Sequence, residues 1–272
     1  MTRFTDPTLR RDQNGRSQED RNAEDFLAVD NLTVHYKSEG YLIAAVKRVG
    51  FSAAKGERLI LLGRSGCGKS TILKAIGGFI KPTSGSIRLD GKPIEKPDSD
   101  RAMVFQEFDQ LMPWKTALEN IAFAIRNARK LGGKEAKVEA RRYLKKVGLE
   151  KFGDSYPHQL SGGMKQRVAI ARALAAQAKA LLMDEPFAAL DALTRSQMQE
   201  ELLRLYQEEG FTLAFVTHSI DEALILGSKI VMLSPHPGEV IETIKLNSSA
   251  ASGALKEKIN AILFKDRVEY VI

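Results

Sequence analysis

Short apolar runs recur along the first part of the chain and predict β-strands. Leu32, Val34 and Tyr36 alternate with polar neighbours, which is the period of a half-buried strand. The segment Ala45–Ser52 gives a second strand candidate, whereas Leu59–Leu62 is continuously apolar, as expected of a parallel strand that is buried on both faces. The pattern therefore predicts an antiparallel strand group that precedes a parallel core.

A helical pattern replaces the strand pattern in the middle of the chain. Residues from about 115 to 178 carry apolar stripes at helical spacing. Two further apolar runs, 180–183 and 213–216, then flank a helix-like segment, 194–209. Because a returning strand–helix–strand pattern is typical of parallel sheets, we expect an α/β protein. It would have a mixed, mainly parallel sheet, an N-terminal antiparallel β subdomain and an inserted helical subdomain at about 107–178.

The two ends of the chain differ from this core. The first 25 residues mix both charge signs with almost no apolar content, which is typical of a disordered tail, and they lack the apolar core of a signal peptide. Residues 247–272 are expected to form a small, polar linker and a short C-terminal helix at 255–264. The folded domain is therefore expected to span 26–246.

Composition limits the kinds of protein that this chain can be. Its 272 residues are 43% hydrophobic and 28% charged, which is ordinary for a globular protein. No apolar stretch approaches the roughly 20 residues that cross a bilayer, and the single cysteine, Cys67, excludes an internal disulfide. A net charge of +7 favours anionic partners. The basic residues are spread along the sequence without a nucleic-acid-binding module, so a solvated surface is favoured and no nucleic acid partner is expected.

The segment Gly63–Ser70 reads G-x-x-x-x-G-K-S and lies between the apolar run at 59–62 and a helical stripe. Its glycines let backbone N–H groups surround a phosphate chain, while Lys69 can reach the β and γ phosphates and the Ser70 hydroxyl can bind Mg²⁺. The pattern predicts the core of a phosphate-loop NTPase. The residues expected to bind the nucleotide are Gly63, Arg64, Ser65, Gly66, Cys67, Gly68, Lys69, Ser70 and Thr71.

Two adjacent acids, Asp184 and Glu185, follow the apolar run at 181–183. Ligands of open α/β sheets collect at the carboxyl ends of the strands. Asp184 is suited to hold Mg²⁺, in part through water, and Glu185 is suited to polarise a water for attack on the γ-phosphate. The alternative is that the two acids only cap the next helix.

A second candidate phosphate-facing loop is Ser161-Gly162-Gly163, which opens the helical stripe that begins at Met164. A serine hydroxyl and the free N–H groups of a helix terminus together form an anion site. An ordinary helix cap would explain Ser161 alone. A pair of glycines, however, costs backbone entropy, which favours the close approach of a ligand.

Six segments, in this order, resemble the ATPase subunit of an ATP-binding cassette (ABC) transporter, and the resemblance implies ATP hydrolysis with Mg²⁺. Met164 departs from the family pattern, which usually has glutamine there. The six segments are the phosphate loop Gly63–Ser70, the glutamine loop at Gln106, the signature Leu160–Met164, the Mg²⁺ strand Leu181–Glu185, the interface loop Ala189–Asp191 and the switch histidine in Val216–His218.

The resemblance also implies how these residues act. Two subunits would sandwich two ATP molecules, so that each phosphate loop faces the Ser161-Gly162-Gly163 of the partner and Asp191 lies at the dimer interface. Beside the catalytic carboxylate, His218 would contact the γ-phosphate. Gln106 would sense Mg²⁺ and the attacking water and relay the nucleotide state to a membrane partner. Tyr36 would stack on adenine, with an ordinary strand tyrosine as the alternative.

A finer resemblance, to the bacterial nitrate, sulfonate and taurine importers, rests on Leu111–Trp114, Asp184–Arg195 and Ser234–Gly238. It implies an ATPase subunit that energises import of taurine, alkanesulfonate or nitrate through a transmembrane permease, served by a solute-binding protein. Such a subunit lies at the cytoplasmic face of the bacterial inner membrane. The alternative is a soluble ABC-type ATPase that acts on nucleic acid or ribosomes. Trp114 is expected near the permease contact, with a buried tryptophan as the alternative.

Overall fold

The computed structural model describes residues 25–38, 41–106, 110–246 and 253–264. The strands are β1 (Leu27–Ser38), β2 (Tyr41–Ala53), β3 (Arg58–Leu62), β4 (Ser84–Leu89), β5 (Lys92–Pro93), β6 (Arg101–Val104), β7 (Ala180–Asp184), β8 (Thr212–Thr217), β9 (Lys229–Leu233) and β10 (Val240–Lys245). The helices are α1 (Lys69–Ile76), α2 (Ala117–Arg129), α3 (Gly133–Lys146), α4 (Gly162–Ala175), α5 (Ala192–Glu209), α6 (Ile220–Leu226) and α7 (Gly253–Phe264).

The main sheet has six strands in the order β10-β9-β3-β8-β7-β6. Strands β9, β3, β8, β7 and β6 run parallel, and β10 pairs antiparallel with β9. Because successive side chains of a strand point to opposite faces, alternate residues of β3 belong to different cores. Ile60 and Leu62 pack into a core with the helices α2 to α6, whereas Leu59 and Leu61 pack into a second core with α1 and the antiparallel sheet.

The antiparallel sheet has the order β2-β1-β4-β5 and covers the α1 side of the main sheet. The turn between β4 and β5 is formed by Asp90 and Gly91, which have φ values of 51° and 73°. Positive φ at both central residues matches the twist of an antiparallel hairpin. The predicted α/β class, with a mainly parallel sheet and an N-terminal antiparallel sheet, is therefore confirmed.

The inserted helices α2, α3 and α4 pack on one another beside the edge strand β6. Helix α2 begins with a reciprocal cap, in which the Thr116 hydroxyl accepts from Glu119 N and the Glu119 carboxylate accepts from Thr116 N. Just before this cap, Trp114 is 71% exposed, so the alternative of a buried tryptophan is wrong. The predicted tail and linker lie outside the described residues, apart from Asp25 and Gly253, with which the C-terminal helix begins.

Candidate active site

The phosphate loop connects β3 to α1 and is shaped by close backbone contacts. Gly68 caps α1 in the left-handed conformation, with a φ of 91°. A Cβ atom at this position would come within 2.4 Å of Val46 Cγ1 and 2.8 Å of Ala45 O. Any residue with a side chain would therefore be strained and would collide with β2. The antiparallel sheet thus fixes the path of the loop.

The loop between β9 and β10 also supports the phosphate loop. Gly238 N donates to Ala45 O and Gly238 O accepts from Lys47 N, both at 3.0 Å. A Cβ atom on Gly238 would lie only 2.1 Å from Cys67 O, so the two backbones are in direct contact. Gly238 lies in the segment Ser234–Gly238, but the sequence indicates no role for it, because the residues that it contacts lie far away along the chain.

Lys69 is buried, with 4% of its side chain exposed, and its ammonium group is fully engaged in the loop. Its Nζ donates to Gly63 O and Arg64 O, both at 3.0 Å, and lies 3.5 Å from Glu185 Oε1. A buried ammonium needs such partners because desolvation of an unpaired charge is costly. The loop therefore carries a positive charge at the position where the sequence predicts phosphate.

Glu185 stands between the lysine and the switch histidine. Its second carboxylate oxygen, Oε2, lies 2.8 Å from His218 Nδ1, so that Lys69, Glu185 and His218 form one connected row. Glu185 adopts a φ of 43°, which is uncommon for a residue with a side chain. A hydrogen bond of 3.1 Å from Glu185 N to Val216 O holds this conformation.

Ser70 and Asp184 form a second polar pair beside this row. The Ser70 hydroxyl donates to Asp184 Oδ1 at 2.7 Å, and Asp184 is only 5% exposed. Burial raises the pKa of the Asp184 carboxyl above its ordinary value. A cation beside this carboxylate would offset its desolvation. Magnesium prefers hard oxygen ligands, usually one or two protein oxygens together with phosphates and waters, so the pair fits Mg²⁺.

Two more predicted residues lie around the phosphate loop. Tyr36 is 44% exposed, and its hydroxyl shares a hydrogen bond of 3.2 Å with Thr71 Oγ1, so its ring is held beside α1 and is partly open to solvent. Gln106 is exposed and follows β6 at the carboxyl edge of the main sheet. The same edge carries the ends of β3, β7 and β8, and hence the phosphate loop, the acid pair and His218.

The signature residues stand apart from the phosphate loop of their own chain. Within the described part of the chain, no hydrogen bond or ion pair joins Ser161–Gly163 to Gly63–Ser70. Ser161 caps α4 by accepting from Met164 N at 3.3 Å. A Cβ atom on Gly163 would approach Thr194 Cγ2 to 3.1 Å, so packing within the chain already favours a glycine there.

The interface loop reaches the same region through α5. Asp191 caps this helix by accepting from Thr194 N at 3.0 Å, and the bonds from Thr194 lower the pKa of its carboxyl. Since Thr194 also borders Gly163, the beginnings of α4 and α5 lie side by side. The signature and the interface loop therefore form one exposed surface.

Cys67 is the phosphate-loop residue with a testable reactivity. Its side chain is 1% exposed, and burial raises the pKa of its thiol above the ordinary value. Because the thiolate is the reactive form, we expect iodoacetamide to modify the folded protein much more slowly at pH 7 than the protein unfolded in urea, and faster as the pH rises. Mass spectrometry of quenched samples measures both rates. Equal rates for folded and unfolded protein would contradict this expectation.

These features together define a phosphate-loop nucleoside triphosphatase: a lysine in a glycine loop, a serine–aspartate pair and a glutamate–histidine pair at one sheet edge. The chain belongs to the ABC transporter family, whose model matches residues 46–188. It is 42% identical over 254 residues to the taurine import ATP-binding protein TauB of Rhizobium johnstonii, covering 88% of this chain and 96% of that protein.

Two further comparisons agree with this assignment. The chain is 48% identical over 222 residues to the nitrate import ATP-binding protein NrtD of Synechococcus elongatus, covering 80% of this chain and 81% of that protein. A solved dimeric, post-hydrolysis state of the ATP-binding cassette MJ0796, bound to ADP and Pi, is 37% identical with a TM-score of 0.73. That match covers 82% of this chain and 99% of the solved chain. The chain is accordingly an ATP-binding, ATP-hydrolysing cassette.

Proposed function

We propose that this protein is the ATPase subunit of an importer for a small solute, with taurine, an alkanesulfonate or nitrate as the candidates. The observation that carries the proposal is the row Lys69–Glu185–His218 at the carboxyl edge of the main sheet, in a chain whose relatives are import proteins for taurine and nitrate. The comparisons give no support to an ATPase that acts on nucleic acid or ribosomes.

Each residue of the site has a step in the proposed hydrolysis. Lys69 binds the β and γ phosphates, which compete with Glu185 for its ammonium group. Glu185 accepts a proton from the attacking water, and His218, whose Nδ1 lies 2.8 Å from Glu185 Oε2, contacts the γ-phosphate. Ser70 and Asp184 would hold Mg²⁺, which would supply charge neutralisation on the phosphates. Gln106 would sense Mg²⁺ and the attacking water and relay the nucleotide state to the membrane partner.

The proposal includes a dimer of two copies. Ser161, Gly162 and Gly163 make no polar contact with the phosphate loop of their own chain among the described residues, and Ser161 is exposed. A second copy can therefore bring these residues to the ATP of the first, with Asp191 beside them. The dimeric structure of the related cassette supports this arrangement.

A membrane permease is the second proposed partner, reached from the cytoplasmic face of the inner membrane. None of the described helices is long and apolar enough to cross a membrane. The basic residues are spread along the whole sequence, but acids are scarce in the helical subdomain. Residues 110–178 hold fourteen lysines and arginines against five acids, which gives this segment a net charge of +9 where the whole chain has +7. The helical subdomain thus carries the positive charge that a partner with acidic side chains would recognise.

Two cavities on this subdomain define the docking surface, which we call the α2 face. One, of about 390 Å³, is mainly apolar and is lined by Met103, Met112, Phe123 and Arg172 among others. The other, of about 450 Å³, shares Phe123 and is lined by four cations and one acid: Lys115, Arg126, Lys134, Lys137 and Glu119. Within the described ranges these four cations have no carboxylate partner, and Trp114 is exposed nearby in sequence. The α2 face fits a permease segment with apolar and acidic side chains.

Charge reversal on the α2 face tests this docking. Replacing Lys134 and Lys137 with glutamate is expected to reduce co-purification with the permease about tenfold or more, because like charges at an interface cost several kcal/mol. Trp114→Ala should likewise reduce transport, while ATPase activity of the isolated protein is retained in both variants. The matched control is Lys92→Glu, an exposed lysine on β5. Equal loss in the control would contradict the assignment of this face.

Growth of a deletion strain tests the solute. The strain should fail to use one of taurine, alkanesulfonate or nitrate as its sole sulfur or nitrogen source, and the wild-type gene should restore growth where an ATPase-deficient Glu185→Gln gene does not. Growth on all three by the deletion strain would contradict the proposed solutes. Purification with ribosomes or nucleic acid, and without a permease, would instead favour the soluble alternative.

A further inference from the structure

We infer that Glu222 and Arg195 are positioning residues that join two parts of the catalytic centre. One part is the segment from Glu185 to Asp191, here called the catalytic segment, and the other is the end of β8 that carries His218. The inference rests on the proposed function, because it uses the roles given there to Glu185, His218 and Asp191. The sequence alone indicates no role for Glu222 or Arg195.

Two contacts tie the beginning and the middle of the catalytic segment to β8. At its beginning, Glu185 N donates to Val216 O at 3.1 Å. In its middle, Phe187 is fully buried, and its ring packs on Phe215 with centroids 5.6 Å apart. These contacts leave the far end of the segment, next to Asp191, to be fixed in another way.

Arg195 and Glu222 supply the third connection. Arg195 Nη2 donates to Leu190 O at 2.9 Å, directly before Asp191. Arg195 Nε is buried, makes no hydrogen bond among the described residues and lies 4.0 Å from Glu222 Oε1, at ion-pair distance. The other oxygen of Glu222 accepts a hydrogen bond from the Thr217 hydroxyl. Thr217 directly precedes His218. The contacts therefore run from the end of β8 along the catalytic segment to Leu190, and return through Arg195, Glu222 and Thr217 to the end of β8.

The Glu222 carboxylate is buried and therefore depends on the side chains that surround it. Glu222 is 6% exposed and also accepts from Gln199 Nε2 at 3.5 Å, so three side chains from two other elements, α5 and β8, converge on it. A buried carboxylate is stable only while its partners stay in place. A displacement of His218 is therefore transmitted through Thr217 and Glu222 to Arg195 and the interface loop.

The consequence concerns communication between the two ATP sites of the proposed dimer. His218 contacts the γ-phosphate of the ATP that is bound to its own chain, and Asp191 lies at the surface that meets the partner. With both ends of the catalytic segment fastened to β8, these two residues move as one unit. Glu222 and Arg195 thereby coordinate closure at the interface with occupancy of the site.

Kinetics of Glu222→Gln, Arg195→Gln and their double variant test the inference. Each single variant is expected to lower kcat for ATP roughly 10- to 10²-fold, the effect of a small misplacement of catalytic groups, with KM within about twofold. The double variant should lose no more than the worse single variant, because both interrupt one connection. Arg195→Lys keeps the charge but cannot reach both partners, and an intermediate kcat is expected.

The matched control is Arg204→Gln, on the same helix as Arg195, which removes surface ion pairs to Glu201 and Glu208. It should leave kcat unchanged. Thermal unfolding and ATP binding are measured for every variant, and Arg195→Lys decides the case if Glu222→Gln does not fold. A kcat equal to that of the control in Arg195→Lys and Arg195→Gln, or additive losses in the double variant, would overturn the inference.

A second measurement separates this inference from the proposed function. In the Glu185→Gln background, ATP-dependent dimerisation is expected to weaken about tenfold when Arg195→Gln is added, and to be unaffected by Arg204→Gln. If Glu185→Gln alone hydrolyses ATP normally or never dimerises, the proposed function fails. If it dimerises and Arg195→Gln has no further effect, only the inference fails.

Discussion

Replacement of Glu185 with glutamine is expected to abolish most turnover while ATP stays bound. The amide has the shape of the carboxylate but cannot accept a proton, so hydrolysis should fall roughly 10²- to 10⁴-fold, the usual contribution of a general base. The positive charge of Lys69 remains and loses its 3.5 Å carboxylate neighbour, so ATP affinity should be preserved. Single-turnover hydrolysis, filter binding of ATP and light scattering of the dimer measure these effects.

The control for this variant is Glu57→Gln. Glu57 pairs with Lys229 at 2.8 Å and is 16% exposed, close to the 17% of Glu185, but it lies at the opposite end of β3. Its replacement removes a comparable lysine–glutamate pair without touching the site, so hydrolysis should persist. Normal turnover in Glu185→Gln, or the same loss in Glu57→Gln, would refute the role of Glu185 as the base.

Replacement of Lys69 with alanine is expected to act on binding instead. Hydrogen bonds to a charged group contribute about 1.5–3 kcal/mol, so ATP should bind roughly 10- to 10²-fold more weakly. The variant also exposes the carbonyls of Gly63 and Arg64, which now accept from the ammonium group, to the phosphates. Titration with a fluorescent ATP analogue measures the affinity. Lys81→Ala, an exposed lysine after α1, serves as the control. Unchanged ATP affinity in Lys69→Ala would count against its assigned role.

The parts of the structure that sequence could predict are those governed by neighbouring residues. The continuous apolar run at Leu59–Leu62 indicates a strand with two covered faces, and the structure places its residues in two cores. The glycines and Lys69 of the phosphate loop need only their own spacing to predict a helix that begins after Gly68. Local patterns therefore suffice for β3, β7 and β8 of the main sheet and for α1, but the patterns described above predict neither β9 nor β10.

The remaining features depend on contacts between distant segments. Nothing in the sequence around Glu222 indicates that its carboxylate is buried against Arg195, and nothing around Gly238 indicates contact with Cys67. The exposure of Trp114 likewise follows from the packing of α2 to α4 rather than from its own apolar character. Such contacts arise only when the whole fold brings the segments together, which local periodicity does not encode.

The contact between Gly238 and the phosphate loop has a consequence for synthesis of the protein. The loop is complete at residue 70, but the strands that flank β3 begin at Thr212 and Lys229, and Gly238 follows about 170 residues after Cys67. At translation rates of about 5–20 residues per second, roughly 10 to 30 s separate the two segments on the ribosome. In a nascent chain, the phosphate-loop sequence is therefore synthesised well before the strands β8 and β9 and the Gly238 loop that support it. The chain becomes able to bind ATP only late in translation.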